Sequence, residues 1–300
     1  KRQIHLYPKL IHKLLQEGGL WVDSANSILL NRFFTRSTFQ ELINDGESPA
    51  YIAAIRRYII DYADKTNMEC ISEIYQHLKR DYQNEYYYKN TLLNKLLLGV
   101  HSPRTTTALT EVPVGNSKAD FILINGKAVV YEIKTSLDNF ERLDGQINDY
   151  YKAFSRVVVV TSEAHYEGVQ QKLKHSPAGI CLLTRKGTLS IRKEPIEYCD
   201  KLSKSTMFKI LRKNEYEKIL INHFTSLPNV SQFEYFRACQ ALFESLPTKD
   251  AYNMFIQSLK ARSRIDIVEY SKIPYELKFL AYFSNYKKSD YSKLCQFLSV

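Results

Sequence analysis

Features that mark several common protein classes are missing from this sequence. No run approaches the ~18 to 20 consecutive apolar residues of a membrane span, so we expect no membrane partner. The five cysteines are scattered, without a CxxC pair or a Cys/His group at zinc spacing, and they predict a reducing, cytoplasmic environment. No Walker loop or GxGxxG motif is present, which excludes a nucleotide-driven motor within this chain.

Glycine and proline are sparse in the first 99 residues, where apolar residues recur at helical spacing, as in Ile71, Ile74 and Leu78. We predict an N-terminal helical region over 1–81 and a C-terminal basic helical region over 196–300. The segment between them, 82–195, contains short β-rich runs. The predicted strands are 109–114, 119–124, 127–135, 157–161, 180–184 and 189–193, with helices over 83–98, 138–154 and 166–174. This order predicts a mixed α/β unit.

Positive charge exceeds negative charge along the chain. The formal net charge is +10 and the pI is about 9.2. Residues 201–300 hold 16 Lys and Arg against 9 Asp and Glu, a surplus of +7. Such a surplus favours a polyanionic partner by long-range attraction. A solvated charged face is the alternative.

The charges at the end of the third predicted strand carry most of the functional information. In the run DFILINGKAVVYEIKT, residues 120–135, Glu132 and Lys134 interrupt an apolar strand. Side chains alternate along a strand, so these two project from one face while Ile133 points to the other. Because an unpaired carboxylate is costly to remove from water, a compensating cation or metal is expected nearby. Asp120 is the nearest acid in the preceding strand.

The loop around Gly126 decides whether Asp120 joins them. A two-residue hairpin would place Asp120 opposite Tyr131, on the face away from Glu132. A three-residue loop with Gly126 left-handed, or a bulge, would place Asp120 opposite Val130, on the same face as Glu132. We therefore predict an odd loop or a bulge.

Two carboxylates on one face, with a backbone carbonyl beside them, form an oxygen cage suited to Mg²⁺ or Mn²⁺. The predicted ligands are Asp120, Glu132 and the carbonyl of Ile133. Such an ion lowers the pKa of a bound water and offsets the charge of a phosphodiester. Lys134 would orient the water or stabilise the transition state. A structural salt bridge at a strand end is the alternative.

The spacing Asp120, eleven residues, Glu132, one residue, Lys134 resembles the signature of the PD-(D/E)xK nuclease superfamily, which includes restriction enzymes, Holliday-junction resolvases and the nuclease domain of RecB. Ala119 replaces the proline of that signature. The run YEIKTSLDNFERLDGQINDYYKAFSRVVVVTS is similar to bacterial PD-(D/E)xK-like proteins of unassigned role. The resemblance covers about residues 82–195. It implies a restriction-endonuclease-like α/β core, with a central mixed sheet flanked by helices.

The resemblance also implies roles for residues outside the signature. Gln146 and Tyr150 match the QxxxY element of RecB-like members, where such residues contact the substrate strand or orient the lysine. Arg142 lies four residues before Gln146 on the same helical stripe, and we expect all three to contact nucleic acid. Many members add an upstream acid. Glu85 is the first candidate and Glu111 is the second; a glutamate in a first helical turn also stabilises the helix without catalytic duty.

Two functional interpretations remain open from the sequence. The first is a metal-dependent nuclease that hydrolyses phosphodiester bonds, with DNA favoured over RNA, in phage defence, mobile elements or DNA processing. The second is a catalytically inactive protein of nuclease fold that binds DNA or serves as an adaptor. The helical flanks could contact DNA, a partner or a second copy of the chain, so a homo-oligomer is left open.

Overall fold

The computed structural model describes residues 28–262 and 265–300 of the chain. The chain divides into two compact units. One contains the described residues up to Tyr82 together with Lys293–Val300, and the other contains Gln83–Ser292. Residues 1–27 of the predicted N-terminal region lie outside the described residues.

Helices α1 to α3 are the main elements of the first unit: Arg36–Asp45 (α1), Pro49–Tyr58 (α2) and Asn67–Asp81 (α3). Helix α3 begins with a capping box, in which Thr66 Oγ1 accepts the N–H of Glu69 and the Glu69 carboxylate accepts the N–H of Thr66. Ile71, Ile74 and Leu78 form its buried stripe. The helical spacing read from the sequence is therefore confirmed for this segment.

A six-stranded mixed sheet forms the centre of the second unit, with the strands in the same spatial order as in the chain. The β1–β2, β2–β3 and β5–β6 pairs are antiparallel, and the β3–β4 and β4–β5 pairs are parallel. The predicted α/β class, with a central mixed sheet flanked by helices, is confirmed. The strands are Thr107–Val114 (β1), Ser117–Asn125 (β2), Lys127–Lys134 (β3), Val157–Thr161 (β4), Gly179–Leu183 (β5) and Leu189–Lys193 (β6).

Three helices precede or connect the strands. They are Glu85–Leu92 (α4), which continues as π-helical turns over Leu93–Val100, Leu143–Tyr150 (α5) between β3 and β4, and Tyr166–Lys172 (α6) between β4 and β5. The predicted start of the second helix at Asp138 is wrong. The Asp138 carboxylate accepts hydrogen bonds from the N–H and the hydroxyl of Thr135 and forms a turn before the helix.

Further helices follow the sheet, and the first four of them share its hydrophobic core. Phe208, Phe243 and Phe255 belong to the same buried cluster as Ile122 and Val130 of the sheet. The helices after the sheet are Lys204–Ile210 (α7), Lys213–Phe224 (α8), Gln232–Ser245 (α9), Thr248–Lys260 (α10), Ile267–Ser271 (α11), Lys278–Phe283 (α12) and Lys288–Leu298 (α13). Helices α7 to α10 thus cover the face of the sheet to which Ile122 and Val130 point.

The β2–β3 loop sets the position of Asp120. A single residue, Gly126, separates Asn125 of β2 from its pairing partner Lys127 of β3, and it is left-handed at φ 69°. The odd loop agrees with the prediction and places Asp120 on the same face as Glu132. The predicted pairing is wrong, however. Val130 pairs with Ile122, so the register, continued along both strands, sets Asp120 opposite Glu132.

Two glycine turns allow a matched test of this hairpin geometry. Gly115, in the β1–β2 turn, has φ 61°, and a Cβ there would lie 2.8 Å from a carboxylate oxygen of Asp149. Gly126 has φ 69° and would meet nothing within 4 Å. Gly126→Ala should lose about 1 to 2 kcal/mol, the cost of a left-handed non-glycine residue. Gly115→Ala should lose at least about 1 kcal/mol more, because it also disturbs the hydrogen bonds of Asp149. Urea unfolding measures both, and equal losses would contradict the close packing at Gly115.

Candidate functional site

The carboxylate of Glu132 lies at the centre of a buried polar network. Glu132 is 1% exposed at the end of β3. Its Oε1 lies 2.9 Å from the Lys134 ammonium group, and its Oε2 accepts the hydroxyl of Tyr150 at 2.6 Å. Strand alternation places Glu132 and Lys134 on one face, and α5 brings Tyr150 to that face. Both carboxylate oxygens therefore have partners, as a buried charge requires.

Lys134 has a second partner, Gln146, which lies in α5 like Tyr150. Its ammonium group donates to Gln146 Oε1 at 2.9 Å, one turn before Tyr150. The lysine is 7% exposed. Gln146 thus contacts Lys134, and Tyr150 contacts Glu132; the lysine-orienting role that the resemblance implies stays a prediction, for which Gln146 has the required contact.

Asp120 lies in a different electrostatic setting. One of its carboxylate oxygens accepts the backbone N–H of Ile133 at 2.8 Å. Burial and then repulsion by Glu132 raise the pKa of Asp120 to about 8, although the Ile133 N–H and Lys89 lower it. In a strand, the N–H and C=O of one residue point to the same side, so the Ile133 carbonyl also faces β2. Asp120 therefore keeps its proton more readily than an ordinary aspartate, because the Ile133 N–H and Lys89 compensate only part of its negative charge.

Glu85, Glu111 and Asp120 form an acidic cluster, in which one carboxylate oxygen from each lies within 4.8 Å of the other two. Both upstream acids considered from the sequence are therefore brought to Asp120. Glu85 is in the first turn of α4, and Glu111 is in the middle of β1, directly before Val112, which pairs with Ala119. The acidic residues come from one helix and adjacent strands.

Glu111 has an unusual backbone conformation for a strand residue. Its φ is 56°, a region that costs a non-glycine residue energy and that is enriched at functional sites. Beside it, the hydroxyl of Thr110 donates to the carbonyl of Asp120 at 2.7 Å. The kink directs Glu111 into the acidic cluster while the side chain of Thr110 keeps β1 attached to β2.

Two lysines that the sequence reasoning missed neutralise part of this cluster. Lys89, one turn after Glu85, contacts Glu85 Oε1 at 2.5 Å and also Glu111 Oε1. Lys118 lies 3.1 Å from Glu111 Oε2. Burial lowers the pKa of Lys89, but Glu85 and Glu111 outweigh it and the pKa is raised. For Lys89, the signal in the sequence was a positive charge within α4, a helix whose other residues after Glu85 are buried.

The expected nucleic-acid contacts are only partly compatible with the structure. Arg142 is exposed at the start of α5, and Gln146 is half-buried. Tyr150 is 0% exposed, so the contact expected of it with a nucleic acid strand is corrected. Its hydroxyl binds Glu132 instead, because α5 packs this side of the helix against the sheet.

Comparison with known proteins shows the family to which the chain belongs. A family model described as bacteriophage P4 protein cII matches residues 78–272, more than half of the chain. The chain belongs to this family. Protein cII of Enterobacteria phage P4 is 26% identical over 162 residues, which make up 52% of this chain and 59% of that protein. No solved structure matches. The cII-family segment includes every residue of the candidate site.

Among the residues that the structure describes, no helix has the length and apolar character needed to cross a bilayer.

The raised pKa of Asp120 predicts a stability effect in metal-free protein. A carboxyl group with a folded pKa above its unfolded value costs stability as pH rises from about 4 towards 8, because only the unfolded chain releases the proton freely. With a chelator at pH 7, Asp120→Asn should raise the free energy of unfolding by at least about 1 kcal/mol, the equivalent of one pH unit. The gain should disappear near pH 4 in urea titrations.

Asp149→Asn is a control that should change the free energy of unfolding in the opposite direction. Burial raises the pKa of Asp149, but Lys152 and Ser117 outweigh it and the pKa is lowered. This variant should lose stability at pH 7. A loss of stability in Asp120→Asn as well would contradict an Asp120 whose charge is only partly compensated.

Adjacent tyrosines in α5 and just after it test the hydrogen bond to Glu132. Tyr150→Phe removes a donor to a buried carboxylate and should cost about 1 to 3 kcal/mol. Tyr151 is 2% exposed, but its hydroxyl has no hydrogen-bond partner among the described residues. Tyr151→Phe should be neutral or stabilising. Equal losses in thermal unfolding would show that the network adds nothing specific.

Proposed function

We propose that this protein is a metal-dependent nuclease that hydrolyses phosphodiester bonds, with DNA favoured over RNA as the substrate. The observation that supports it most is the convergence of Asp120, Glu132 and Lys134 on one face of the sheet, at the ends of β2 and β3. A structural salt bridge requires only Glu132 and Lys134. It gives no reason for a further carboxylate opposite Glu132.

The residues fit a hard divalent cation such as Mg²⁺ or Mn²⁺. The donors are carboxylate oxygens of Asp120 and Glu132, together with the carbonyl of Ile133, and oxygen ligands are those that these ions prefer. The raised pKa of Asp120 supports this fit, since a carboxylate whose charge is only partly compensated favours a cation beside it. When bound, such an ion supplies an activated water and offsets phosphate charge.

The side chains around Asp120 and Glu132 have separable tasks. Tyr150 fixes the carboxylate of Glu132, which leaves its orientation independent of any ligand. Gln146 directs the Lys134 ammonium group, which supplies a compact positive charge for the developing negative charge on the phosphate. Tyr150 and Gln146 are positioning residues in this scheme.

A nucleic acid substrate agrees with the charge of the chain. The net charge of +10 favours a polyanion, and phosphate contacts would make binding weaken with salt. Arg142 is exposed one turn before Gln146 and is the proposed phosphate contact nearest the site. The phage P4 relative agrees with a role in mobile elements, phage defence or DNA processing.

One observation favours the second interpretation, a nuclease fold that binds DNA or a partner without chemistry. Lys89 and Lys118 already pair with Glu85 and Glu111 of the acidic cluster, and Lys134 pairs with Glu132, without any ion. A protein that retained the fold alone could be held together by these pairs.

A cleavage assay separates the two interpretations. We expect the protein to cut supercoiled, linear or single-stranded DNA in Mg²⁺ or Mn²⁺, and not in a chelator. Asp120→Asn and Lys134→Met should each lose at least about 100-fold in rate, because the first removes a ligand of the ion and the second removes a positive charge that stabilises the transition state. Glu167→Gln, at an exposed position of α6, is the matched control and should cut normally.

Absence of cleavage of every DNA and RNA form in both metals would overturn the nuclease proposal. Retained salt-sensitive DNA binding in the same samples would then favour the binding protein.

A further inference from the structure

Lys89 is a buried cation inside the acidic cluster. It is 7% exposed, whereas the side chains of its partners, Glu85 and Glu111, are 57% and 42% exposed. Glu85 precedes it by one helical turn, but Glu111 comes from β1, 22 residues away. A surface salt bridge within a helix would leave the ammonium group in water and would need no partner from the sheet. The geometry encloses the ammonium group between two elements.

The ammonium group of Lys89 contacts two of the three carboxylates that could bind a cation together. One oxygen from each of Glu85, Glu111 and Asp120 lies within 4.8 Å of the others. Lys89 holds an oxygen of Glu85 and one of Glu111. The outer part of the candidate site therefore already contains a fixed positive charge.

The formal charges indicate how many divalent ions the site can accept. Four carboxylates face three ammonium groups, which gives a net charge of −1 when all are ionised. The carboxylates are those of Glu85, Glu111, Asp120 and Glu132, and the ammonium groups are those of Lys89, Lys118 and Lys134. One divalent ion changes the net charge to +1, which suits a phosphate. Two would give +3 in a partly buried space, where like charges are costly.

We propose that Lys89 takes the place of a second divalent ion, so that the site binds a single ion at Asp120 and Glu132. This inference rests on the proposed metal-dependent function. Glu85 and Glu111 are then the partners of Lys89 and not metal ligands in the wild-type protein. Removal of the Lys89 charge frees their oxygens and creates a second ion site.

The test counts the Mn²⁺ ions bound by the full chain, by calorimetry and by the loss of the free Mn²⁺ signal in electron paramagnetic resonance. Wild-type protein should bind one ion and Lys89→Met should bind two. Lys89→Arg keeps the charge and should bind one. The double variant Lys89→Met with Glu111→Gln removes a ligand of the new site and should return to one.

Thermal unfolding gives a second readout that does not depend on activity. Lys89→Met leaves Glu85 without its cation and Glu111 with Lys118 alone, so it should melt below wild type in a chelator. Added Mn²⁺ should then raise its melting temperature more than it raises that of wild type. If Lys89→Met folds only when Mn²⁺ is present, Mn²⁺ stabilises the variant more than wild type, which also supports the inference. A lysine with a merely structural role predicts the same loss with and without Mn²⁺.

The outcomes separate this inference from the proposed function. Two ions in wild type, or one in Lys89→Met, would overturn the role of Lys89 and leave the metal site intact. No ion in wild type, with no rise in melting temperature, would overturn both. One ion in wild type and two in Lys89→Met supports the inference whether or not any substrate has been found.

Discussion

The burial of the Glu132 carboxylate is the constraint on which the rest of the site depends. An ionised carboxylate removed from water costs several kcal/mol unless charged and hydrogen-bonding partners compensate for it. Lys134 comes from the same strand, but Tyr150 comes from α5 and reaches Glu132 only when α5 packs against the sheet. The orientation of Glu132 therefore depends on the packing of α5 against the sheet. The Tyr150 hydroxyl also lies 2.9 Å from the Lys118 carbonyl of β2, which connects the helix to a second strand.

Glu132 and Asp120 have opposite electrostatic situations although they face each other. The partners of Glu132 are all in place without any ligand. Asp120 has one hydrogen bond from the Ile133 N–H, and its raised pKa reflects burial beside another acid. In such a site, Glu132 is held rigidly by its partners, whereas the charge of Asp120 lacks a full set of compensating partners. The stabilisation that Asp120 gives up in the free protein becomes available to a cation, which is how binding energy is stored in preorganised sites.

Local patterns in the sequence predicted the sheet and the inner part of the site. Alternation alone places Glu132 and Lys134 together. The Asn125-Gly126 pair by itself favours a two-residue turn, and the odd loop was predicted because it brings Asp120 to the face of Glu132. The exact register was beyond the sequence, since Val130 and Glu132 lie on the same face and either satisfies the pattern as a partner of Asp120. The exposure of Tyr150 and the role of Lys89 were missed for another reason. Both depend on contacts between elements distant in the chain, which periodicity does not encode.

The outer part of the site depends on the C-terminal helices as much as on the strands. In β1, which carries Glu111, the hydroxyl of Thr107 donates to the Lys260 carbonyl of α10 at 2.6 Å. In α4, which carries Glu85 and Lys89, the side chain of Asn90 donates to the Tyr275 carbonyl at 3.0 Å and accepts the N–H of Phe279.

The cII-family match, residues 78–272, extends well beyond the segment 82–195 whose sequence resembles a nuclease, and it includes the contact between Thr107 and Lys260. The sheet end and α5 together fix Asp120, Glu132 and Lys134. The residues after 195 fix the positions of α4 and β1, and thereby bring Glu85, Lys89 and Glu111 to Asp120. Because Glu111 also has a strained backbone, its place in the acidic cluster requires surrounding structure that opposes relaxation of β1. The C-terminal helices supply that structure, so the site belongs to the whole second unit and not to the nuclease-like segment alone.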